Sequence, residues 1–158
     1  MEFVFDADVI STFAKIERLY LLAKIFGKNK LLITPSVYLD LSRSKSYLVR
    51  DINTSKFFQH ATLSKYELDL AKNIHNQKKL GIGESECISL CKVRGAALVT
   101  NDNKAIEFAE GFNINVANLE TILLFLKSLV DKEQLTQIIN DIETKDKVII
   151  VNKEDILN

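Results

Sequence analysis

The sequence is poor in the features that would assign it at once to a specialised class of protein. It has only two cysteines, Cys87 and Cys91, which lie one helical turn apart in a predicted helix. No second pair of Cys or His residues accompanies them, so a disulfide scaffold and a structural zinc site are both disfavoured. We therefore expect free, buried thiols in an intracellular protein.

The chain also has no excess of charge of either sign. Its 21 basic and 21 acidic side chains give a formal net charge of zero. A nucleic-acid partner therefore cannot be inferred from bulk charge and would have to bind a local basic patch.

Long apolar runs, repeats, low-complexity tracts and an N-terminal leader pattern are missing too. The most apolar stretch, ILLFL at 122–126, is far too short to cross a bilayer. We expect a cytoplasmic protein with no membrane association. The 158 residues, 47% hydrophobic and 27% charged, are typical of one globular domain spanning 1–158.

Short apolar segments alternate with helical patterns along the chain. Strands are predicted at 2–6, 31–33, within 57–63, at 97–100 and at 114–116, and helices separate them. The first helix is expected to run as far as Gly27, and residues 44–56 form a loop or a short helix. Thr34 with Pro35, and the spacing Ser64-x-x-Glu67, mark two helix starts. This alternation predicts an α/β fold with a mainly parallel central sheet.

Acidic residues follow two of the predicted strands directly. Asp6 ends the first strand and Asp102 closely follows ALVT, while Glu84 opens a helix and Asp40 lies on the helix after the second strand. In open parallel sheets the site lies beyond the carboxyl ends of the strands. Each acid taken singly fits a strand end, a solvated face or a helix start. Together they would repel one another without a cation, and hard oxygen ligands favour Mg²⁺ or Mn²⁺ and phosphodiester hydrolysis.

Four segments in this order, FVFDADVI, ITPSVYLDL, GIGESECISLC and ALVTNDNKAIEFA, resemble the PIN domain family over about residues 2–125. The resemblance implies a three-layer α/β/α sandwich, a C-terminal helical extension at 126–158 and metal-dependent endoribonuclease activity on RNA. Many small members are toxins that pair with an antitoxin protein. The implied catalytic and metal-binding acids are Asp6, Asp40, Glu84 and Asp102.

The chain departs from the family pattern at several positions. The second acid is usually Glu, so Asp40 is one methylene shorter, and Glu86 is an alternative third acid although it should face away from Glu84. Asp8 is expected beside the metal ligands without itself binding the metal, or as a cap of the following helix. Thr100 and Asn101 are expected to orient Asp102 and a water molecule.

Two other functions are compatible with these motifs. Asp6 and Asp8 could be the nucleophile and the general acid of a haloacid dehalogenase-like phosphatase, although the Gly-Thr that usually follows such a pair is replaced by Val9 and Ile10. The weakened second acid could instead mark a PIN fold that only binds RNA or protein.

Two surfaces are candidates for partners. Basic residues that could bind a phosphate backbone follow Asp40 and precede Glu84: Arg43, Lys45, Arg50, Lys78 and Lys79. Solvated loop charges are the commoner explanation for such residues. The helix predicted at 119–130 is apolar nearly all round, which indicates either complete burial or a homodimer interface.

Overall fold

Five parallel strands form the centre of the molecule in a computed structural model that describes residues 1–78 and 80–158, without the side chains of Ser46 and Lys78. The strands are β1 (Glu2–Phe5), β2 (Lys30–Ile33), β3 (Phe58–His60), β4 (Ala97–Val99) and β5 (Val116–Ala117). Their order across the sheet is β3-β2-β1-β4-β5, with every neighbouring pair parallel. Helices flank the sheet on both faces, which confirms the predicted three-layer α/β/α sandwich.

The helices occupy the intervals between strands and the C-terminal part of the chain. They are α1 (Ala7–Lys15), α2 (Tyr20–Phe26), α3 (Pro35–Ser44), α4 (Ser46–Ser55), α5 (Lys65–Lys78), α6 (Ile82–Arg94), α7 (Asn103–Gly111), α8 (Leu119–Leu126), α9 (Lys132–Asp141) and α10 (Lys153–Leu157). A π-helical turn, Ile142–Asp146, continues α9. Within the described ranges, no helix is long and apolar enough to cross a membrane.

The strand order creates one crevice at the sheet's carboxyl edge. The chain leaves β1 toward β2 and β3 on one side, and returns to β4 and β5 on the other. In such doubly wound sheets the crevice lies where the strand order reverses, here between β1 and β4. Phe5 pairs with Val99, and the Asp6 N–H donates to the Val99 carbonyl at 2.9 Å. The residues after these two strands therefore meet side by side.

Local signals act at most of the predicted helix starts. The Thr34 hydroxyl accepts the Val37 N–H in front of Pro35, and Ser64 and Glu67 exchange hydrogen bonds between side chain and backbone N–H. Gly95, in the left-handed region at φ +66°, ends α6. These contacts satisfy backbone groups that a helix end leaves without partners.

The first helix differs from its prediction because it is broken in two. Glu17 adopts φ +59°, and the Arg18 N–H donates to the Phe13 carbonyl instead of continuing the regular pattern. The Arg18 guanidinium then binds Asp141 of α9 at 3.0 Å. No Gly or Pro marks this break, so tertiary contacts and not local sequence signals set it.

One hydrophobic core joins the sheet to the C-terminal helices. Phe5, Ile10 and Phe13 are fully buried in it, and so are residues beyond 125 such as Leu126 and Ile139.

Cys87 and Cys91 are free and buried, as expected. Residues 44–56, expected to form a loop or a short helix, contain the helix α4 (Ser46–Ser55). By contrast α8 ends at Leu126 and leaves Leu124 and Phe125 about half exposed, so it is buried on one side only.

Candidate metal-binding site

One cavity at the carboxyl edge brings together the acids that the sequence singled out. Its volume is about 390 Å³. The residues that line it are Asp6, Ala7, Asp8, Asp40, Gly81, Gly83, Glu84, Asn101 and Asp102. Five carboxylates from four parts of the chain thus face one space, and the described lining contains no Lys or Arg. We call it the acidic cavity.

Asp6 is the most enclosed of these acids, with 8% of its surface exposed. It follows β1 and caps α1, where its carboxylate accepts the Ala7 N–H at 2.7 Å. The buried Thr100 hydroxyl donates to its second oxygen at 3.0 Å. One oxygen of Asp6 is therefore held by the start of α1, and the other by the residue that follows β4.

Asp8 was expected outside the ligand set or as a helix cap, but Asp6 is the N-cap and Asp8 lies in the first turn of α1. Its carboxylate accepts the Val9 N–H at 2.6 Å and the Asn101 N–H at 2.7 Å. Asp8 therefore ties α1 to the loop after β4. It also lines the acidic cavity as a fifth carboxylate.

Glu84 and Asp102 both hold helix starts with one oxygen. The Glu84 carboxylate accepts the Gly81 N–H at 2.8 Å, and the Asp102 carboxylate accepts the Ala105 N–H at 2.9 Å. The Thr100 hydroxyl also accepts the Asp102 N–H at 3.2 Å, as expected of a residue that orients Asp102. Within the described part of the chain, the second oxygen of each acid has no hydrogen-bond donor.

Asp40 reaches the cavity from the middle of α3, where it is exposed. Its carboxylate makes no hydrogen bond to any described residue, so it is the least constrained acid. Gly83 allows the approach of α6 to α3 at this point. A Cβ on Gly83 would lie 3.2 Å from Asp40 Oδ2 and 3.3 Å from Val37 Cγ2, which is closer than normal packing.

Glu86, the alternative third acid, does not line the cavity. Its two carboxylate oxygens accept the Ser36 N–H at 3.0 Å and the Ser36 hydroxyl at 2.7 Å. Glu86 thus holds the start of α3 against α6, whereas Glu84, two positions earlier, faces the acidic cavity.

The basic residues considered for RNA binding lie elsewhere. Arg43, Lys45 and Arg50 are exposed on α3, α4 and the junction between them, and none is among the described residues that line the acidic cavity. Arg50 instead contacts Asp51 at 3.4 Å. Lys79 and the Lys78 side chain lie outside the described residues.

Burial and mutual repulsion disfavour the ionised form of carboxylates in the acidic cavity. Burial, followed by the negative charges of Asp8 and Glu84, raises the pKa of Asp6 from 3.8 to about 7, against the opposing hydrogen bonds from Ala7 and Thr100. Burial also raises the pKa of Asp8. A cation in the cavity would offset both effects, because it favours the ionised carboxylates.

The donor set fits a hard divalent cation, although the site is not preassembled. Within residues 1–78 and 80–158, no three Asp, Glu, His or Cys side chains stand together as a ready-made metal site. Mg²⁺ usually keeps several waters and takes only one or two protein carboxylates, so it does not require such a cage. Asp40, Glu84 and Asp102 each offer an oxygen without a donor.

Comparison with known proteins identifies the family. Residues 2–153 match the sequence profile of the PIN domain. This chain belongs to the PIN domain family. PIN domains are generally nucleases, so the family supports a hydrolase function and removes the main basis for a haloacid dehalogenase-like phosphatase.

Two solved structures are similar to this chain in fold. VapBC2 from Rickettsia felis, bound to a DNA fragment from its promoter, has 20% identity and a TM-score of 0.53, over 75% of this chain and 98% of that one. PAE2754 from Pyrobaculum aerophilum has 17% identity and a TM-score of 0.55, over 81% and 98%. No curated protein matches this PIN domain.

Proposed function

We propose that this PIN domain is an endoribonuclease that hydrolyses RNA phosphodiester bonds with Mg²⁺ or Mn²⁺ held by Asp6, Asp40, Glu84 and Asp102. The observation that carries the proposal is the convergence of five carboxylates in one cavity without a described basic neighbour. Carboxylates this close together repel one another and destabilise the fold, and a bound cation would offset that repulsion. A cluster of this kind is therefore more readily explained by a functional site than by a structural role.

The chain's own residues would prepare the site in two ways. The N–H groups of Ala7 and Gly81 and the Thr100 hydroxyl hold Asp6 and Glu84 in position. The exposed Asp40 would complete the set from the rim of the cavity. When bound, the divalent ion would supply an activated water and stabilise the leaving oxygen.

Basic residues on α3 and after it would contact the RNA backbone. Arg43 lies on α3, the helix that carries Asp40, Lys45 follows that helix and Arg50 lies on α4; all three are exposed. Phosphate contacts from such residues add affinity without base specificity and weaken with salt. We include them in the proposal as backbone contacts and not as part of the acidic cavity.

A role as the toxin of a toxin–antitoxin pair is the biological part of the proposal. The similar VapBC2 structure contains a complex bound to promoter DNA. We propose that this chain likewise acts in the cytoplasm with an antitoxin partner and forms a homodimer through the exposed side of α8. A small gene overlapping the start of this one, whose product copurifies with the chain, would support the pairing.

A second candidate function is a PIN fold that binds RNA or protein without cutting. It is favoured by the exposed Asp40, whose short side chain has no hydrogen-bond donor among the described residues, and by the lack of three preassembled acids there. Metal-dependent cleavage separates the two functions.

The decisive experiment compares Glu84→Gln with Glu86→Gln on a panel of short RNAs, with Mg²⁺ or Mn²⁺ and then with EDTA. We expect the wild type and Glu86→Gln to cut only with metal, because Glu86 is occupied by Ser36. Glu84→Gln should lose cleavage. Cleavage that survives EDTA, or a folded wild type that cuts no RNA with either ion, would contradict the proposal.

A further inference from the structure

A second cavity adjoins the acidic one and shares Asn101 with it. It lies where α7 and α8 begin and where residues 148–152 pass beside them, and its volume is about 270 Å³. Pockets for drug-sized molecules are roughly 300–1,000 Å³, so this one suits a single nucleotide-sized group and not a protein helix.

The polar side of this cavity consists of asparagine amides. The Asn118 oxygen accepts the Thr121 N–H and hydroxyl, and the Asn101 oxygen faces the Leu119 N–H at 3.4 Å. Their NH₂ groups, and the whole side chain of the exposed Asn103, have no hydrogen-bond partner in the described part of the chain. Amides of this kind pair with the edges of nucleobases.

The charge of the lining favours a base over a phosphate. The described lining contains Glu120 and no Lys or Arg. The Glu120 carboxylate accepts a hydrogen bond from the Asn152 amide at 2.8 Å, which also anchors the passing segment. A phosphate placed here would meet a negative charge without a positive one, whereas a neutral base would not.

The apolar side of this cavity is formed by the segment at residues 148–151, which precedes α10. Ile149 and Val151 are 83% and 87% exposed, while Ile150 between them is buried in the core. Lys153 fixes the end of the segment through Glu143 at 2.7 Å. Two exposed aliphatic side chains on an anchored backbone offer an apolar contact that the face of a base could cover.

We propose that this second cavity binds the base of a nucleotide that flanks the scissile phosphate, with the asparagine amides at its edge and Ile149 and Val151 against its face. The proposal rests on the ribonuclease function inferred above. It assigns the C-terminal segment a role in choosing the cleavage position.

The test uses RNA oligonucleotides that differ only by an abasic site on either side of the cleaved bond. Loss of the base on one side should lower the wild-type kcat/KM by roughly tenfold or more, as expected for a lost base contact. The double variant Ile149→Ser/Val151→Ser should cut the intact and abasic RNAs at similar rates. The matched control Tyr66→Ser/Leu68→Ser, on exposed positions of α5, should behave as wild type.

A binding measurement supplies a second readout. Fluorescence anisotropy in EDTA, with Asp102→Asn to prevent cleavage, should show tighter binding of intact than abasic RNA only when Ile149 and Val151 are present. A double variant that cuts RNA with the wild-type base preference overturns the base site and leaves the ribonuclease function intact. A wild type that cuts no RNA overturns both.

Discussion

Two acidic residues near the ends of α6, Glu84 in its first turn and Glu67 of α5 beside its last residue, are in opposite circumstances. At its first turn, Glu84 faces the acidic cavity, where burial and neighbouring acids raise the pKa of Asp6 to about 7. At its last residue, Arg94 binds Glu67 at 2.7 Å. That hydrogen bond, with those from Ser64, lowers the pKa of Glu67 to about 2 although the residue is 3% exposed.

The difference separates an acid whose charge is compensated within the fold from the acids that we propose bind the metal. Glu67 accepts hydrogen bonds from Arg94 and from the Ser64 N–H, so its ionised form stabilises the folded state. The acidic cavity has no described basic residue to do the same. A buried charge without a partner weakens the fold, and such sites are more often functional than structural.

Of the variants that test this comparison, Asp102→Asn is expected to have the largest effect on cleavage. Asparagine is itself a good N-cap, so the fold should persist. The cleavage rate should fall by more than roughly 10- to 100-fold, which is the loss typical of substituting a residue that supports the metal ligands without binding the metal. Metal-free melting should occur at or above the wild-type temperature, and the stabilisation by Mg²⁺ should shrink.

The matched control is Asp131→Asn, the same change at the N-cap of α9, where the carboxylate accepts the Gln134 N–H far from the cavity in sequence. Cleavage and the metal response should be retained there. If both variants behaved alike, the acid of Asp102 would have only a capping role.

Glu67→Gln tests the contact between Glu67 of α5 and Arg94 at the end of α6. The folded-state pKa of Glu67 lies below its ordinary value of 4.5, so its contribution is complete above pH 4.5 and is lost as the pH falls toward 2. At pH 7 the variant should lose about 3 kcal/mol of unfolding free energy. Urea unfolding of both proteins at several pH values should show this difference vanish in acid. A difference independent of pH would contradict the assignment.

Gly83→Ala should have the smallest effect, and it acts on the cavity through shape alone. The added Cβ would press on Asp40 and Val37, so Asp40 must move. We expect cleavage to fall by about tenfold, because Asp40 is displaced but not removed, while the protein stays folded. Gly111→Ala, where a Cβ meets nothing within 4 Å, is the control. Unchanged kinetics would show that Asp40 need not keep its position.

Local signals predicted much of this fold correctly. Thr34 with Pro35, and the Ser64 and Glu67 pair, each act through neighbours within a few residues, so these helix starts could be predicted from the sequence. The broken first helix was missed because Glu17 carries no turn signal and the Arg18 contact to Asp141 spans most of the chain.

The α/β class, the PIN family and the candidate acids follow from the order of the amino acids, because apolar periodicity and motif order are properties of the chain. Which acids share a cavity follows from the packing of strands and helices. The strand order places Asp6 beside Thr100, and the packing of α6 on α3 turns Glu84 toward the cavity and Glu86 toward Ser36. Such distances depend on how layers pack, and no spacing along the chain encodes them.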